Sequence, residues 1–159
     1  MSPYSLEVAH ANAAAIDTVA FFAALADEMN ANPDRFSVLG EAEMDAVLVM
    51  QSDDHDFCIN LRFEGMRCDE VVEVLADVVH LADFCLEGSL SAWRAMFSDI
   101  VENGRATGMQ TINALTLLGE EIKLVGSDPM GIDKFSRFNQ TLQEFLDGAV
   151  VAFASTMKP

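Results

Sequence analysis

The chain has 159 residues, of which 51% are hydrophobic and 22% charged, a composition typical of a globular domain rather than of a disordered segment. Its 26 acidic residues against nine lysines and arginines give a formal net charge of −17. Such a surface repels phosphate backbones and anionic membranes, so nucleic acid is not an expected partner.

Membrane insertion and export are also not expected. No stretch approaches the roughly 18–20 apolar residues of a membrane helix, and the N-terminus lacks a basic region followed by an apolar run. The three cysteines, Cys58, Cys68 and Cys85, are an odd number that suits free buried thiols better than a disulfide framework. We therefore expect a cytoplasmic protein.

The first third of the chain predicts a helix followed by a hairpin. Apolar residues recur at helical spacing over 6–29, and Asn30, Asn32 and Pro33 end this helix. Residues 34–45 read as a connector, and 46–51 as a short valine-rich strand. After a polar turn at 52–56, apolar and polar residues alternate over 57–64, which predicts a second strand with one buried face.

Residues 67–82 are compatible with two structures. Val71, Val74, Leu75, Val78 and Val79 fit a helix, whereas the density of β-branched valine favours a strand. We favour a strand over 67–75 and leave the helix as the alternative. A further strand is expected over 83–88.

The second half of the chain predicts two long helices around a last strand. Ser89 is a suitable N-cap for a helix over 90–103, which Gly104 would stop. Residues 105–116 are less regular, with one or two helical turns, and 117–125 reads as a strand carrying Leu118, Ile122 and Leu124 on one side. After a break at 126–129, apolar residues at helical spacing predict a helix from Gly131 into the 150s.

These elements predict an α+β fold with a mostly antiparallel five-stranded sheet and helices packed on one side. We expect residues 1–159 to form a single domain. It would consist of an N-terminal helix (1–33), a core (45–147) and a C-terminal helix extension (148–159).

Two local motifs resemble the sterol carrier protein type-two-like family. The stretch 82–89, Ala-Asp-Phe-Cys-Leu-Glu-Gly-Ser, followed by a helix with Trp93, Met96 and Phe97, is similar to the family's strand that runs into a Ser-started helix. Residues 119–123 with Gly126 and 130–132 resemble its later strand and the glycine that opens the last helix. The segment between Gly65 and Ala82 is longer than the family pattern.

This resemblance implies a hydrophobic tunnel between the sheet and the helices that accepts sterols, fatty acyl chains or other lipids. Arg105 could meet a ligand carboxylate at the mouth of such a tunnel, and the alternative for this residue is simple solvent exposure. The alternative for each wall residue is ordinary core. The implied wall residues are Trp93, Met96, Phe97, Ile100, Met109, Ile112, Leu115, Phe135 and Phe138.

The sequence predicts neither an enzyme nor a cofactor. It has no Gly-x-Ser-x-Gly elbow and no phosphate-binding glycine loop. A metal site is not expected at the polar turn 52–56, and no Cys-x-x-Cys pair supports a zinc site. The expected function is therefore carriage of an apolar small molecule or lipid. The alternative is a ligand-free accessory domain that uses its acidic surface and C-terminal helix, which could also form a homodimer.

Overall fold

In a computed structural model that describes residues 16–119 and 121–152, five strands form one sheet. Their order is β3-β2-β1-β4-β5, and all neighbours are antiparallel except β1 and β4. In the parallel pair, Ala46 lies opposite Phe84 and Gln51 opposite Ser89. The strands are β1 (Ala42–Gln51), β2 (Phe57–Gly65), β3 (Arg67–Glu73), β4 (Phe84–Ser89) and β5 (Ile122–Val125).

The helices lie before, between and after these strands. Two 3-10 segments, Ala76–Leu81 and Gly108–Gln110, complete the regular structure, and the chain is again helical at 149–152. Within the described ranges, no helix is both long and apolar enough to cross a bilayer. The helices are α1 (Val19–Ala31), α2 (Asp34–Ser37), α3 (Leu90–Asn103), α4 (Ile112–Leu117) and α5 (Pro129–Asp147).

The inner face of the sheet and the three long helices share one hydrophobic core. Alternate residues of β1, such as Met44, Ala46 and Leu48, point into this core because side chains on a strand alternate between its two faces. Fully buried residues of α1, α3 and α5 pack against them. The predicted α+β class, with a mostly antiparallel five-stranded sheet, is confirmed.

The outer face of the sheet has its own smaller apolar cluster. Val47, Val49, Cys58 and Cys85 are buried there under the segment 74–82. The thiol of Cys85 donates a hydrogen bond to the carbonyl oxygen of Val79, 3.2 Å away. The additional residues between Gly65 and Ala82 thus shield this outer face of the sheet from solvent.

The favoured strand forms in the first half of the ambiguous segment 67–82, whereas Ala76–Leu81 in its second half is a 3-10 helix. β3 occupies Arg67–Glu73, and its inner-face Cys68 is buried. The side chain of Asn30 on α1 accepts a hydrogen bond from the Cys68 amide at 2.9 Å and donates one to the Cys68 carbonyl oxygen at 3.0 Å. The Asn30 side chain therefore satisfies backbone hydrogen-bonding groups on the free edge of β3, where no neighbouring strand pairs with them.

The strand predicted over 117–125 is wrong in its first half. The side chain of Thr111 caps the amide of Ala114, which starts α4 and carries it through Leu117. Leu118 is 71% exposed rather than placed on a buried strand face, and β5 begins at Ile122. A local cap thus prevailed over the apolar pattern.

Other predicted boundaries shift by a few residues. β1 begins at Ala42 within the predicted connector, which also contains the short helix α2. α1 begins at Val19, because Thr18 has extended backbone and caps the amide of Phe21; the helix predicted for 6–15 lies outside the described residues. α5 begins at Pro129, where the Asp128 side chain accepts a hydrogen bond from the Met130 amide.

Asp83 joins three elements at the start of β4. Its Oδ2 atom accepts a hydrogen bond from the Asp45 amide of β1 at 2.8 Å and lies 3.3 Å from Nζ of Lys134 on α5. Gly131 allows α5 to approach, since a Cβ atom there would overlap the carbonyl oxygen of Asp83. The Ala-Asp motif therefore fixes where the last helix meets the sheet.

Candidate functional site

One face of α3 supplies four of the predicted wall residues. The hydroxyl of Ser89 accepts a hydrogen bond from the Ala92 amide at 3.1 Å, and Gly104 ends the helix with a φ of 85°. Between these caps, residues at positions i, i+3, i+4 and i+7 face the sheet, and all four are fully buried. They are Trp93, Met96, Phe97 and Ile100.

Trp93 is held at a fixed place in the interior. Its indole N–H donates a hydrogen bond to the carbonyl oxygen of Val49 at 3.0 Å, which satisfies the polar atom of an otherwise apolar side chain. Gly88 lies beneath it: a Cβ atom at that position would lie 2.9 Å from Ile122 and 3.4 Å from the indole nitrogen. This single tryptophan reports directly on the interior between sheet and helices.

Aromatic rings from other elements extend this surface. The ring of Phe97 makes edge-to-face contacts with Phe21 and Phe22 of α1, with centroids 4.9 and 6.3 Å apart. Phe135 of α5 contacts Phe84 of β4 at 5.5 Å. The α1 rings were absent from the predicted wall, although Phe22 belongs to the apolar stripe that predicted the helix.

The remaining predicted wall residues divide into two groups. Ile112 and Leu115 on α4 are buried in the same core, as is Phe135. Phe138 is partly buried, and the guanidinium of Arg137 lies 5.1 Å from its ring centre. The structure does not bring Met109 into this group, because the single turn at 108–110 leaves it 54% exposed.

Four methionines lie in the core beside these rings. The thioether side chain has three rotatable bonds and adapts its shape more readily than branched residues do. The core can therefore change shape at several points without breaking polar contacts. The four are Met29, Met44, Met50 and Met96.

Residues 104–119, here called the cover segment, close the space between α3 and α5. Side chains hold it in place. Asp99 of α3 accepts hydrogen bonds from the Thr107 amide at 2.6 Å and the Thr107 hydroxyl at 2.9 Å. On the other side, Gln143 of α5 accepts a hydrogen bond from the Ile112 amide at 2.7 Å.

Asp147 provides the third attachment of the cover segment. Its Oδ1 atom accepts hydrogen bonds from the Ala106 amide at 3.1 Å and from Nε2 of Gln143 at 2.9 Å. Burial raises the pKa of Asp147 above its ordinary value of 3.8, while these hydrogen bonds and the nearby charge of Arg105 oppose the rise. Asp147 is thus a desolvated carboxyl whose polar contacts all serve the cover segment and its neighbour Gln143.

A half-open cleft of about 550 Å³ lies beside this attachment. Two arginines face it. Arg35 pairs with Glu28 at 3.2 Å and with Glu144 at 2.9 Å, whereas the exposed Arg105 has no ion pair among the described residues. The cleft is lined by Glu28, Asn32, Arg35, Gly104, Arg105, Glu144, Asp147, Val150 and Val151.

The cysteines are separated by the sheet. Cys58 and Cys85 lie on the outer face, and Cys68 lies in the main core. Within residues 16–119 and 121–152, no three His, Cys, Asp or Glu side chains are grouped so that they could hold a metal ion.

No family model matches the chain, and no curated protein matches it. Among solved structures, it is similar to the crystal structure of sterol carrier protein 2, with a TM-score of 0.62 and 18% sequence identity. The match covers 85% of this chain and 97% of that chain. At this identity the likeness establishes a fold and not an activity. The chain therefore has a sterol carrier protein 2-like fold, which confirms the resemblance indicated by its two motifs.

Proposed function

We propose that the protein binds and carries an apolar ligand, such as a fatty acyl chain or a sterol-like lipid, between its sheet and its helices. The observation that carries this proposal is the fold, because the solved structure that it resembles over most of its length is that of a sterol carrier protein. The proposal is one of binding and not of catalysis.

The chemistry of the core supports this proposal. Ligand pockets are lined mainly by apolar and aromatic groups, with few polar groups that orient the ligand. The α3 face, the α1 and α5 rings and the four buried methionines have this composition. The ligand would enter by displacing these adaptable side chains, and its affinity would come from the apolar surface that it buries.

The cover segment supports an entry route at one end of the core. Side-chain contacts from Asp99, Gln143 and Asp147 attach it to α3 and α5, and such contacts can open without unpairing the sheet. The cleft that holds Arg105 lies at the same end. We place the polar end of the ligand in this cleft and its apolar part against Trp93, Met96, Phe97, Ile100, Ile112, Leu115, Phe135 and Phe138.

The decisive experiment is extraction of the purified protein with organic solvent, followed by mass spectrometry. We expect a defined lipid at near-stoichiometric yield. In parallel, fatty acids or sterols added to delipidated protein should shift or quench the emission of Trp93, the single tryptophan. An empty extract together with unchanged emission would contradict the proposal.

Arg105 provides a test of the placement of the polar end. We expect Arg105→Gln to weaken fatty-acid binding about three-fold, because an exposed ion pair contributes only a small free energy of binding. Binding of the matching fatty alcohol, which has no carboxylate, should be unchanged. Titrations followed by Trp93 emission measure both affinities. Arg67→Gln, on the exposed edge strand β3 and outside the cleft, is the control and should change neither. Equal loss for acid and alcohol would place the polar end elsewhere.

A second candidate is an accessory protein that docks a partner. The observation in its favour is an exposed apolar surface on the outer side of the sheet, here called the outer patch: Leu75 (73% exposed), Val78 (37%) and Leu81 (75%). Acidic residues such as Asp77 lie beside it, so a basic partner would fit. A salt-sensitive complex that Leu75→Ser and Leu81→Ser abolish would favour this role.

A further inference from the structure

Three large apolar side chains of the cover segment point into solvent. Met109, Leu117 and Leu118 are 54%, 63% and 71% exposed. The end of the Met109 side chain lies 4.0 Å from where a Cβ atom of Gly119 would be, beside Leu118. These residues therefore form one surface, here called the apolar tip.

The apolar tip lies in the part of the chain that is poorest in negative charge. Residues 103–119 contain no Asp or Glu, and no longer stretch of the sequence lacks them. Arg105 is the only charged residue of this stretch, and Glu102 and Glu120 flank it. The tip itself is thus uncharged, and an acidic side chain lies only at its edge, where Cγ of Glu121 is 3.8 Å from the same Cβ position of Gly119.

The two faces of α4 have different environments. Ile112 and Leu115 point into the core, where we place the ligand, whereas Leu117 faces solvent. A surface that receives the tip would thus lie directly over the cover segment and its side-chain attachments. A membrane bound at the tip would therefore face the proposed entry route, and a membrane is where an apolar ligand is found.

We infer that the apolar tip inserts into the surface of a neutral lipid bilayer and so brings the cover segment to the source of its ligand. This inference rests on the proposed function. Interfacial binding grows with the apolar area that is buried and with favourable charge. Three side chains give weak, reversible binding, and the acidic remainder of the protein opposes anionic lipid.

The test measures co-flotation of the full chain with phosphatidylcholine vesicles. Leu117→Ser with Leu118→Ser should lower the partition coefficient about ten-fold, because two exposed leucines no longer enter the bilayer. Leu75→Ser with Leu81→Ser in the outer patch is the matched control, since these leucines are equally exposed, and should leave binding unchanged. Phosphatidylserine added to the vesicles should weaken binding of the unaltered protein at low salt.

Two readouts separate this inference from the proposed function. Trp93 emission checks that each variant is folded, and fatty-acid titration in vesicle-free solution should give the same affinity for the tip variant as for the unaltered protein. Equal flotation of the tip and control variants, or no flotation of the unaltered protein, would overturn the inference and leave ligand binding intact. Loss of flotation in the outer-patch variant alone would assign membrane contact to the other face and also overturn it. Tip-dependent flotation of a protein that yields no lipid and whose Trp93 emission does not respond to fatty acids would instead refute the carrier function.

Discussion

At the scale of single residues, two glycines control how closely the elements approach. Gly88 admits Trp93 and Ile122 to β4, and Gly131 admits the backbone of Asp83 to α5. In both cases a neighbour occupies the volume of the missing side chain, and the φ angles are not in the left-handed region. The requirement is for space, so even the smallest side chain should be harmful.

We expect Gly131→Ala to lower the free energy of unfolding by about 1–3 kcal/mol, since the new methyl group overlaps the Asp83 carbonyl and α5 must shift. Urea unfolding followed by circular dichroism measures this change. Ser136→Ala, exposed on the same helix, is the control and should be neutral or slightly stabilising. Equal stability of the two variants would mean that α5 adjusts without strain.

The buried thiols make stability depend on alkaline pH. Burial raises the pKa of Cys68 to about 12 and that of Cys85 to about 11, from an ordinary value of 9.0. The unfolded chain therefore ionises its thiols at a lower pH than the native chain does. The stability that comes from burying the neutral thiols is fully present below pH 9 and is lost as pH rises towards 11–12.

Unfolding in urea at a series of pH values from 8 to 11 tests this expectation. The unaltered protein should lose stability more steeply above pH 9 than a variant with Cys68→Ala and Cys85→Ala. That variant is less stable at pH 8 because it leaves small cavities, but its profile should be flatter. Parallel profiles would contradict the assignment.

At the scale of elements, the cover segment differs from the sheet in how it is held. Side chains from α3 and α5 bind it at Ala106, Thr107 and Ile112, whereas strands are joined by ladders of backbone hydrogen bonds. Ile112 and Leu115 anchor α4 in the core, so we expect local opening mainly over 104–111, which side-chain hydrogen bonds rather than a backbone ladder hold in place.

We expect Asp99→Ala to increase amide hydrogen exchange over residues 104–112 and to speed ligand entry, because it removes the hydrogen bonds from the Thr107 amide and hydroxyl. Global stability should fall by only about 1 kcal/mol. Exchange mass spectrometry and stopped-flow Trp93 emission measure the two effects. Ser98→Ala, its exposed neighbour, is the control; unchanged exchange in the Asp99 variant would show that Asp147 and Gln143 suffice.

The sequence was most informative where period and cap agreed. α3 begins after Ser89 and ends before Gly104, as predicted, and the alternation from Phe57 to Phe63 correctly predicted β2. It failed where a local hydrogen bond decided, as at Thr111, whose cap placed Leu117 in a helix. An apolar pattern alone cannot distinguish these outcomes.

The candidate site was predictable in its buried part and less so at its rim. The α3 face follows from helical spacing, and Phe135 from that of α5. The partners of the cover segment were not predictable, because Asp99, Gln143 and Asp147 meet it only through tertiary packing. Exposure of Met109 likewise depends on the single turn that carries it.

At the scale of the whole molecule, the net charge of −17 opposes compaction. Part of this repulsion is local: Glu43 and Glu64 lie directly opposite each other on β1 and β2, and both are exposed. Like charges in such a pair destabilise a sheet.

Salt should therefore stabilise this protein. Between about 0.01 and 0.5 M NaCl, screening should raise stability on the order of 1 kcal/mol, or about 2–4 °C in Tm for a chain of this size. Glu43→Gln should raise Tm by part of this amount at low salt and by little at high salt. Gln140→Ala, an exposed position of α5, is the control, and its effect on Tm should not depend on salt. A fall in Tm with salt would show that ion pairs such as Arg35–Glu144 outweigh the repulsion.

The parallel pairing of β1 with β4 has a consequence for synthesis on the ribosome. The partner of β1 on that side, residues 84–89, is translated more than thirty residues after β1 is complete. Until then, a nascent chain with a finished hairpin presents the edge of an apolar strand, Ala46 to Met50, that can recruit other chains. Aggregation during translation should therefore be greatest for truncated products that end before Phe84.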